Sequence, residues 1–443
     1  MSIFWQECKH IFRSRFWLGV TVLGMILCIY NGFMNSYTYG SEGFALSYEF
    51  TQEHGYSFTE EDAVAYVKYY LENSEEGKEI QEDVKEAGLD TITAEEIKDY
   101  YDGKPTKLNE KLQEMSEGKT SEEEKAYWNV LSYMDILGYT LEIPKANSLD
   151  PELYDMEVRG KNWLEESGNN LPEWKQELLL DGYAHLGERV EEIKKNGENH
   201  QMLPVGMSGT DNSEWLRFQF ATNGPLGLVW GLSFVLAGIA AARSLGGSLM
   251  NNLQGMVYTG KTGRRLVWRK LMAVLAISAG NYIVLYLLMT VFCVFMFRLD
   301  LYWNVPLASM VRYGNSIIPR FAITIGGYWW FQLGVGLGAV LIMALIFCAA
   351  MVLTKNFYAG SAISVGVSLL LLGMIQMVPE LQNSLLLTGS PIGLFLQAGC
   401  FFRQWPFQFS ILPHFEGVML LIWGGIAAIL TTVGFVRFRR AAL

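Results

Sequence analysis

The chain has 443 residues, 51% of them hydrophobic, and a formal net charge of −11. Residues 34–222 contain 41 acidic and 17 basic side chains, whereas the rest of the chain has a net charge of +13. This division excludes a uniform soluble globule and predicts an acidic soluble domain joined to a basic, apolar membrane part. The acidic balance gives no reason to expect a nucleic-acid partner.

The first 33 residues predict an amphipathic helix followed by a membrane span. Apolar side chains recur at spacings of three and four over residues 3–15, as in a helix lying in the membrane interface, although a plain cytoplasmic flank fits the same pattern. Basic residues precede the apolar run Phe16–Phe33, so we expect the N-terminus inside the cell. The sequence after this run offers no small-residue cleavage site, which predicts an uncleaved anchor.

Residues 34–222 are predicted to form a mostly helical extracellular domain of about five to seven helices, judged from its capping boxes and periodicity. Capping boxes start at Thr59, Thr93 and Thr120, and apolar side chains recur after them at helical spacing. All five cysteines lie outside this domain, which therefore has no internal disulfide. Its tryptophans are interpreted as core residues rather than as a ligand cage. They are Trp128, Trp163, Trp174 and Trp215.

No catalytic set is apparent in the acidic domain. His54, His185 and His200 lack metal-ligand spacing, and no serine or cysteine nucleophile motif accompanies them. Acidic runs such as Glu122–Glu124 are most simply solvated helix faces, and attraction of cationic ligands, including basic peptides, is the alternative. We therefore predict that this chain is not itself an enzyme and holds no metal.

Five further apolar runs lie beyond this domain, and together with the first they predict an all-α membrane protein with six spans. Basic side chains flank the runs on one side, which places both termini in the cytoplasm. Residues 379–416 are too apolar for a free loop and too broken to cross, so we expect a re-entrant or interfacial hairpin on the outer side. The five runs are Leu226–Ala242, Leu271–Phe297, Tyr328–Leu353, Ala359–Val378 and Val418–Val436.

The six runs contain no Asp, Glu, Lys, Arg or His at mid-depth. This argues against a proton-coupled carrier and against an intramembrane protease, because both need such groups inside the membrane. The polar side chains that are present either line a pathway or bond across helices. They are Asn281, Gln332, Ser364, Ser368 and Gln376. Small residues predict close helix packing, within one chain or between two. They are Gly227, Gly231, Gly334, Gly336 and Gly338.

The segment Arg243–Lys270 joins the second and third runs, and it has six basic residues and no acidic one. A short loop of this composition stays on the cytoplasmic side of a bilayer. Within it, Gly255–Thr262 matches the phosphate-binding pattern G-x-x-x-x-G-K-[ST], which works only between a strand and a helix of a parallel sheet. A loop of 28 residues closed by two spans has no room for that sheet. We therefore interpret the match as chance.

The same loop resembles a segment of ABC-2 type transporter permeases that lies between their second and third membrane helices. The resemblance consists of a Gly-Met pair, a threonine, a Gly-Arg pair with a further arginine, and a Lys-Leu pair. The corresponding residues are Gly255, Met256, Thr259, Gly263, Arg264, Arg265, Lys270 and Leu271. The family often has a glutamate about four residues before the Gly-Met pair, where this chain has Asn251 and Asn252.

The resemblance implies that the loop forms a short coupling helix, which docks on a separate cytoplasmic ATPase subunit. ATP and Mg²⁺ then belong to that partner, this chain holds no cofactor, and a second permease subunit, identical or related, pairs with it in the lipid. Residues 1–33 correspond to an elbow helix with the first span, and residues 223–443 to the other five spans. Within the latter lie the coupling loop, residues 243–270, and the re-entrant segment, while residues 34–222 are an insertion.

We therefore expect a permease subunit of an ABC transporter, acting as an exporter in a bacterial plasma membrane. Two other classes remain open. One is a non-transporting membrane sensor that binds a ligand with the acidic domain, and the other is an assembly protein of the cell envelope. The cargo is equally open among peptide, lipid, drug and polymer, and export of an antimicrobial peptide is one option.

Overall fold

The computed structural model describes most of the chain outside its long connecting segments. The described ranges are 3–38, 41–55, 59–86, 92–107, single positions from 110 to 141, 155–165, 171–199, 224–246, 263–297, 299–310, 318–377, 384–396 and 411–441. Over these ranges the protein is mostly helical and has no strand. The expectation of an all-α chain is confirmed to that extent.

The helices of the first half are short except for the first candidate span and one long helix near residue 185. In chain order they are α1 (Ile3–Phe12), α2 (Arg15–Thr38), α3 (Ser41–His54), α4 (Glu60–Asn73), α5 (Glu75–Glu86), α6 (Ala94–Tyr101), α7 (Met156–Trp163) and α8 (Glu173–Asn196).

The second half contains the remaining long apolar helices. They are α9 (Pro225–Ala241), which continues as a π-helical turn (Ala242–Gly246), α10 (Gly263–Phe297), α11 (Ile325–Thr354), α12 (Phe357–Met377), the short α13 (Leu385–Thr388) and α14 (Pro391–Leu396), and α15 (Phe415–Ala441). Two 3₁₀ turns, Leu299–Leu301 and Leu307–Met310, lie between α10 and α11.

Six of these helices are long and apolar enough to cross a membrane, namely α2, α9 with its π turn, α10, α11, α12 and α15. They coincide with the six predicted runs. The helix of the third run begins earlier than its apolar part, since α10 starts at Gly263 rather than at Leu271. The sidedness of the spans stays a prediction, so we name the two ends of the bundle by the chain. The loop end carries residues 247–262, and the far end is the opposite one.

Helix α11 is the centre of the bundle, with 78% of its most apolar stretch buried against 17% for α12. Gly336 allows this packing, because a Cβ atom there would overlap Tyr282 of α10 and Trp230 of α9. A Cβ atom at Gly338 would lie 2.9 Å from Leu420 Cδ1 of α15, whereas Gly334 faces open space. The glycines at positions 336 and 338 therefore serve packing within one chain.

The acidic region divides between two hydrophobic cores. Helices α3 to α6 share a small core with side chains between Val130 and Leu141. Helices α7 and α8 instead contribute to the large core that contains the six candidate spans. Two of the predicted capping boxes are present, since Thr59 and Thr93 exchange hydrogen bonds with Asp62 and Glu96, respectively. The third, at Thr120, lies outside the described residues.

The tryptophans of the acidic region do not all belong to a core. Trp163 is buried, as predicted, but Trp128 and Trp174 are more than half exposed, so that interpretation was wrong for these two. Helical periodicity does not distinguish buried from exposed tryptophans, because exposing an indole at a helix surface costs little free energy. Trp215 lies outside the described residues.

The described part of the broken segment after α12 contains α13, which is partly exposed, and α14, which is mostly buried among the long helices. Thr388, Ser390 and Ile392 are each at most 5% exposed. The indole nitrogen of Trp423 on α15 donates a hydrogen bond to the carbonyl oxygen of Leu386 at 2.9 Å. This burial satisfies the condition under which short irregular backbone is tolerated beside membrane helices.

Candidate functional site

Some of the predicted coupling residues lie within the described part of the chain, and the others lie outside it. Gly255, Met256 and Thr259 fall in residues 247–262, outside the described ranges. Gly263, Arg264 and Arg265 form the first turn of α10. Lys270 lies two turns further along the same helix and is 7% exposed.

Lys270 is the centre of a polar cluster at the loop end. Its Nζ donates a hydrogen bond to the carbonyl oxygen of Ser244 at 2.8 Å and lies 3.7 Å from Oε1 of Glu7. The Ser244 hydroxyl donates to Oε2 of Glu7 at 3.3 Å. We call Glu7, Ser244 and Lys270 the loop-end cluster. It joins α1, the π turn after α9 and α10 through side chains of all three.

Two further contacts surround the loop-end cluster. The guanidinium Nε of Arg243 is 3.5 Å from the carbonyl oxygen of His10, which it faces as a donor. Burial, followed by the charge of Glu7, raises the pKa of the Cys8 thiol. The thiol therefore stays protonated at neutral pH and acts as an apolar packing group.

The π turn Ala242–Gly246 determines how the cluster is placed. A π turn inserts an extra residue into a helix and is found most often at functional positions. A Cβ atom at Gly246 would lie 2.6 Å from Cδ2 of Phe357, so only glycine lets the turn pack this closely on α12. The turn therefore contacts α12 as well as α1 and α10.

Sequence reasoning identified Lys270 but missed Glu7 and Ser244. A signal for Glu7 was available, since it is the only acidic residue among residues 1–33. No comparable signal marks Ser244, because its carbonyl oxygen, rather than its residue type, accepts the bond from Lys270.

An apolar cleft of about 460 Å³ lies between α9 and α12, with α11 behind it. Gly231 and Gly238 leave room for it on α9, and Phe347 and Met351 form its rear wall. Val365 and Leu369 line the cleft and are exposed at its mouth. Pockets of this size with mostly apolar walls are typical of small-molecule and lipid-like ligands.

Three serines of α12 face the cleft without making it strongly polar. They are Ser361, Ser364 and Ser368. The hydroxyls of Ser364 and Ser368 donate to the carbonyl oxygens of Gly360 and Ser364 on their own helix, at 2.8 and 3.0 Å. These two predicted polar residues therefore line a cavity and do not donate across helices.

The far end of the cleft is closed by Phe395 of α14. Its ring stacks on Trp230 at 6.3 Å and meets Phe234 edge-to-face at 5.8 Å, measured between ring centroids. Such pairs add to the stability given by buried area alone. The cleft is thus open along the side of the bundle and covered by aromatic rings at the far end.

Two other predicted polar residues lie away from the cleft. Gln332 is buried, and its carbonyl oxygen faces the Tyr282 hydroxyl at 3.4 Å. Asn281 is 8% exposed, and its side-chain nitrogen finds no partner within the described part of the chain. In that part, no three His, Cys, Asp or Glu side chains are grouped to hold a metal ion.

The fold and its two sites define a mostly helical protein with six candidate membrane spans, a polar cluster at one end and an apolar cleft along one side. No protein-family model, curated protein or solved structure matches this chain.

Proposed function

We propose that this chain is the permease subunit of an ABC transporter of the ABC-2 type and works as an exporter in a bacterial plasma membrane. The observation that carries the proposal is the loop-end cluster, in which Lys270, at the end of the basic loop, is buried against Ser244 and Glu7. A protein that binds the loop would act at once on α1, α9 and α10.

The resemblance of the loop to ABC-2 permeases supplies the partner, a cytoplasmic ATPase subunit that holds ATP and Mg²⁺. The absence of Asp, Glu, Lys, Arg and His at mid-depth in the spans supports an external motor, because ion-coupled carriers generally need such residues. On this proposal the loop end is cytoplasmic, and closure of the ATPase moves the spans as rigid bodies.

The apolar cleft suggests which part of a cargo this chain accommodates. The hydroxyls of Ser364 and Ser368 donate to their own helix, so the cleft walls offer mainly apolar contact. The mouth is lined by exposed Val365 and Leu369 on a candidate span, from which a molecule dissolved in the bilayer enters sideways. We therefore propose that the apolar part of the cargo lies between α9 and α12.

Copurification with any ABC ATPase encoded beside this gene tests the proposal. We expect the ATPase to bind the tagged chain and to hydrolyse ATP in the complex. The double substitution Gly263→Asp with Arg264→Glu, at the first turn of α10, should abolish binding, because it lowers the net charge of residues 255–265 from +3 to 0. Lys261→Ala should leave hydrolysis nearly unchanged, because the catalytic lysine belongs to the partner.

Two results would contradict the proposal. If no ATPase associates with the chain, the sensor and assembly functions become the better explanations. If Lys261→Ala alone abolishes hydrolysis, the phosphate-binding pattern at Gly255–Thr262 is functional and the chain binds the nucleotide itself.

A further inference from the structure

A buried arginine connects helix α8 of the acidic region to the far end of the bundle. The Arg189 side chain is 4% exposed and forms an ion pair with Glu198, directly after the same helix. Its Nε also donates to the carbonyl oxygen of Pro319 at 3.4 Å. From the other side, the Ser309 hydroxyl donates to the carbonyl oxygen of Glu198 at 2.7 Å.

The residue next to Pro319 continues this connection to the last span. Arg320 forms an ion pair with Glu416 in the first turn of α15, and both side chains are at most 3% exposed. Arg320 also donates to the carbonyl oxygen of Leu412 at 2.8 Å. Two neighbouring residues thus link α8 on one side with the start of α15 on the other.

The same segment is joined to the beginning of α11. The amide of Leu307 donates to the carbonyl oxygen of Ile323 at 2.7 Å, and the amide of Ile325 donates to that of Val305 at 3.0 Å. We call α8 together with residues 299–310, 318–324 and 411–416 the cap. The side chains of the Arg189–Glu198 and Arg320–Glu416 pairs are at most 12% exposed, so separating the parts of the cap would leave charges unpaired largely out of water.

Apolar packing supports the polar contacts of the cap. Leu179, Leu186 and Ile193 of α8 belong to the core of the candidate spans, whereas α3 to α6 have a core of their own. Gly182 of α8 lies against Ile411, and a Cβ atom at Gly182 would be 2.8 Å from Ile411 Cγ2.

We propose that the cap is one rigid body, and that α8 is the element through which the acidic region acts on the far ends of α11 and α15. Packed interfaces shift as units rather than deforming continuously, so a force on α8 reaches both spans through Pro319 and Arg320. A ligand or partner that holds the acidic region would then restrain these two spans. This role goes beyond the proposed function, which leaves the acidic region without one.

A cysteine pair at the contact between α8 and the start of α15 tests the proposal. The Cβ atoms at positions 182 and 411 are 3.6 Å apart, within the range of about 3.5–4.5 Å that disulfides require. Ile411→Cys also removes the branch that approaches Gly182. We expect the variant Gly182→Cys with Ile411→Cys to form the disulfide under mild oxidation in membranes, as seen by mass spectrometry of the linked peptides.

The rigidity of the cap is tested by comparing how much of this disulfide forms in different states of the protein. In the chain alone, and in the complex with the ATPase with or without nucleotide, we expect the same extent of linking. We also expect the same hydrolysis rate before and after oxidation. The measurement on the chain alone does not depend on any ATPase, so failure of the proposed function is recognised separately.

Three controls define the outcomes. Each single cysteine variant should give no linked peptide, which excludes reaction with the native cysteines. Gly55→Cys with Ile411→Cys should not link, because Gly55 follows α3 and has no neighbouring side chain within 4 Å. The proposal is overturned if a folded double variant fails to link, if nucleotide lowers linking several-fold, or if oxidation stops hydrolysis and a reductant restores it.

Discussion

Lys270 and Arg320 are buried cations at opposite ends of the helical bundle, and a carboxylate lies beside each of them. Few acidic residues lie outside the acidic region, only four in all, and Glu7 and Glu416 are two of them. Removing one member of a buried pair is costly because the other charge remains out of water. Stability at each end of the bundle therefore depends on single side chains.

We predict that Lys270→Ala lowers the free energy of unfolding by about 1–3 kcal/mol, since it leaves the Ser244 carbonyl oxygen without its donor and Glu7 without its countercharge. Thermal unfolding of the purified chain without any ATPase measures this loss. Arg269→Ala is the matched control, because Arg269 is the exposed neighbour on the same helix. Equal melting of the two variants would mean that the loop-end cluster does not stabilise the fold.

Acid is expected to weaken the attachment of α8. Burial alone would raise the pKa of Glu198, but hydrogen bonds from Arg189 and Asn196, with the charge of Arg189, lower this pKa below its ordinary value of 4.5. A carboxylate with a lowered pKa stabilises the folded state fully above its unfolded value, and this stabilisation disappears as the pH falls through the folded value.

The change in melting temperature from neutral pH to below 4.5 measures this effect. We expect the parent chain to lose more stability over this interval than Glu198→Gln, which has no carboxylate at that position to protonate. A parallel decline of both proteins would show that other carboxylates dominate the acid response.

At the scale of elements, α10 shows that a helix can extend beyond its apolar run. Its 35 residues would extend about 52 Å at 1.5 Å per residue, well beyond a hydrocarbon core of roughly 30 Å. The apolar run Leu271–Phe297 alone would extend about 40 Å, so this span is expected to tilt or protrude. The basic first turns continue the same helix, so residues 263–270 join the loop to the apolar run without a break.

The cleft between α9 and α12 leads to a prediction at the scale of elements. Gly238→Leu should fill the cleft, because a Cβ atom at Gly238 makes only ordinary contact with Phe347 at 3.5 Å. We expect a photoreactive fatty-acyl probe to bind about tenfold more weakly, equivalent to ~1.4 kcal/mol.

Gly425→Leu on α15 is the control for Gly238→Leu, since no atom lies within 4 Å of a Cβ atom there. It adds the same side chain to another candidate span without touching the cleft. Equal probe labelling of both variants would place the acyl-binding surface elsewhere on the protein.

At the scale of the whole molecule, the sequence was informative about elements and much less so about their neighbours. The six apolar runs and the capping boxes at Thr59 and Thr93 are local signals, and each corresponds to an observed helix. The pairs Arg189 with Pro319 and Arg320 with Glu416 join residues 130 and 96 positions apart. Periodicity and composition carry no information about contacts over such separations.

The sequence did not predict the division of the acidic region between two cores, for a related reason. Helices α4 and α8 have similar amphipathic patterns, each with a buried apolar stripe and an acidic surface. An apolar stripe predicts that one face of a helix is buried, but it does not identify the element that packs against that face. Only the fold reveals that the stripe of α4 meets other acidic helices, while that of α8 meets the core of the candidate spans.

The two cores divide the acidic region at a boundary that the charge distribution does not show. Excision of residues 41–141 would remove α3 to α6 with their own core and leave the cap intact. Excision of the entire acidic stretch would also remove α7 and α8, uncovering Ile411 and the backbone around Pro319. The part of the acidic region with a core of its own thus ends before α7, whereas α7 and α8 share the large core with the candidate spans.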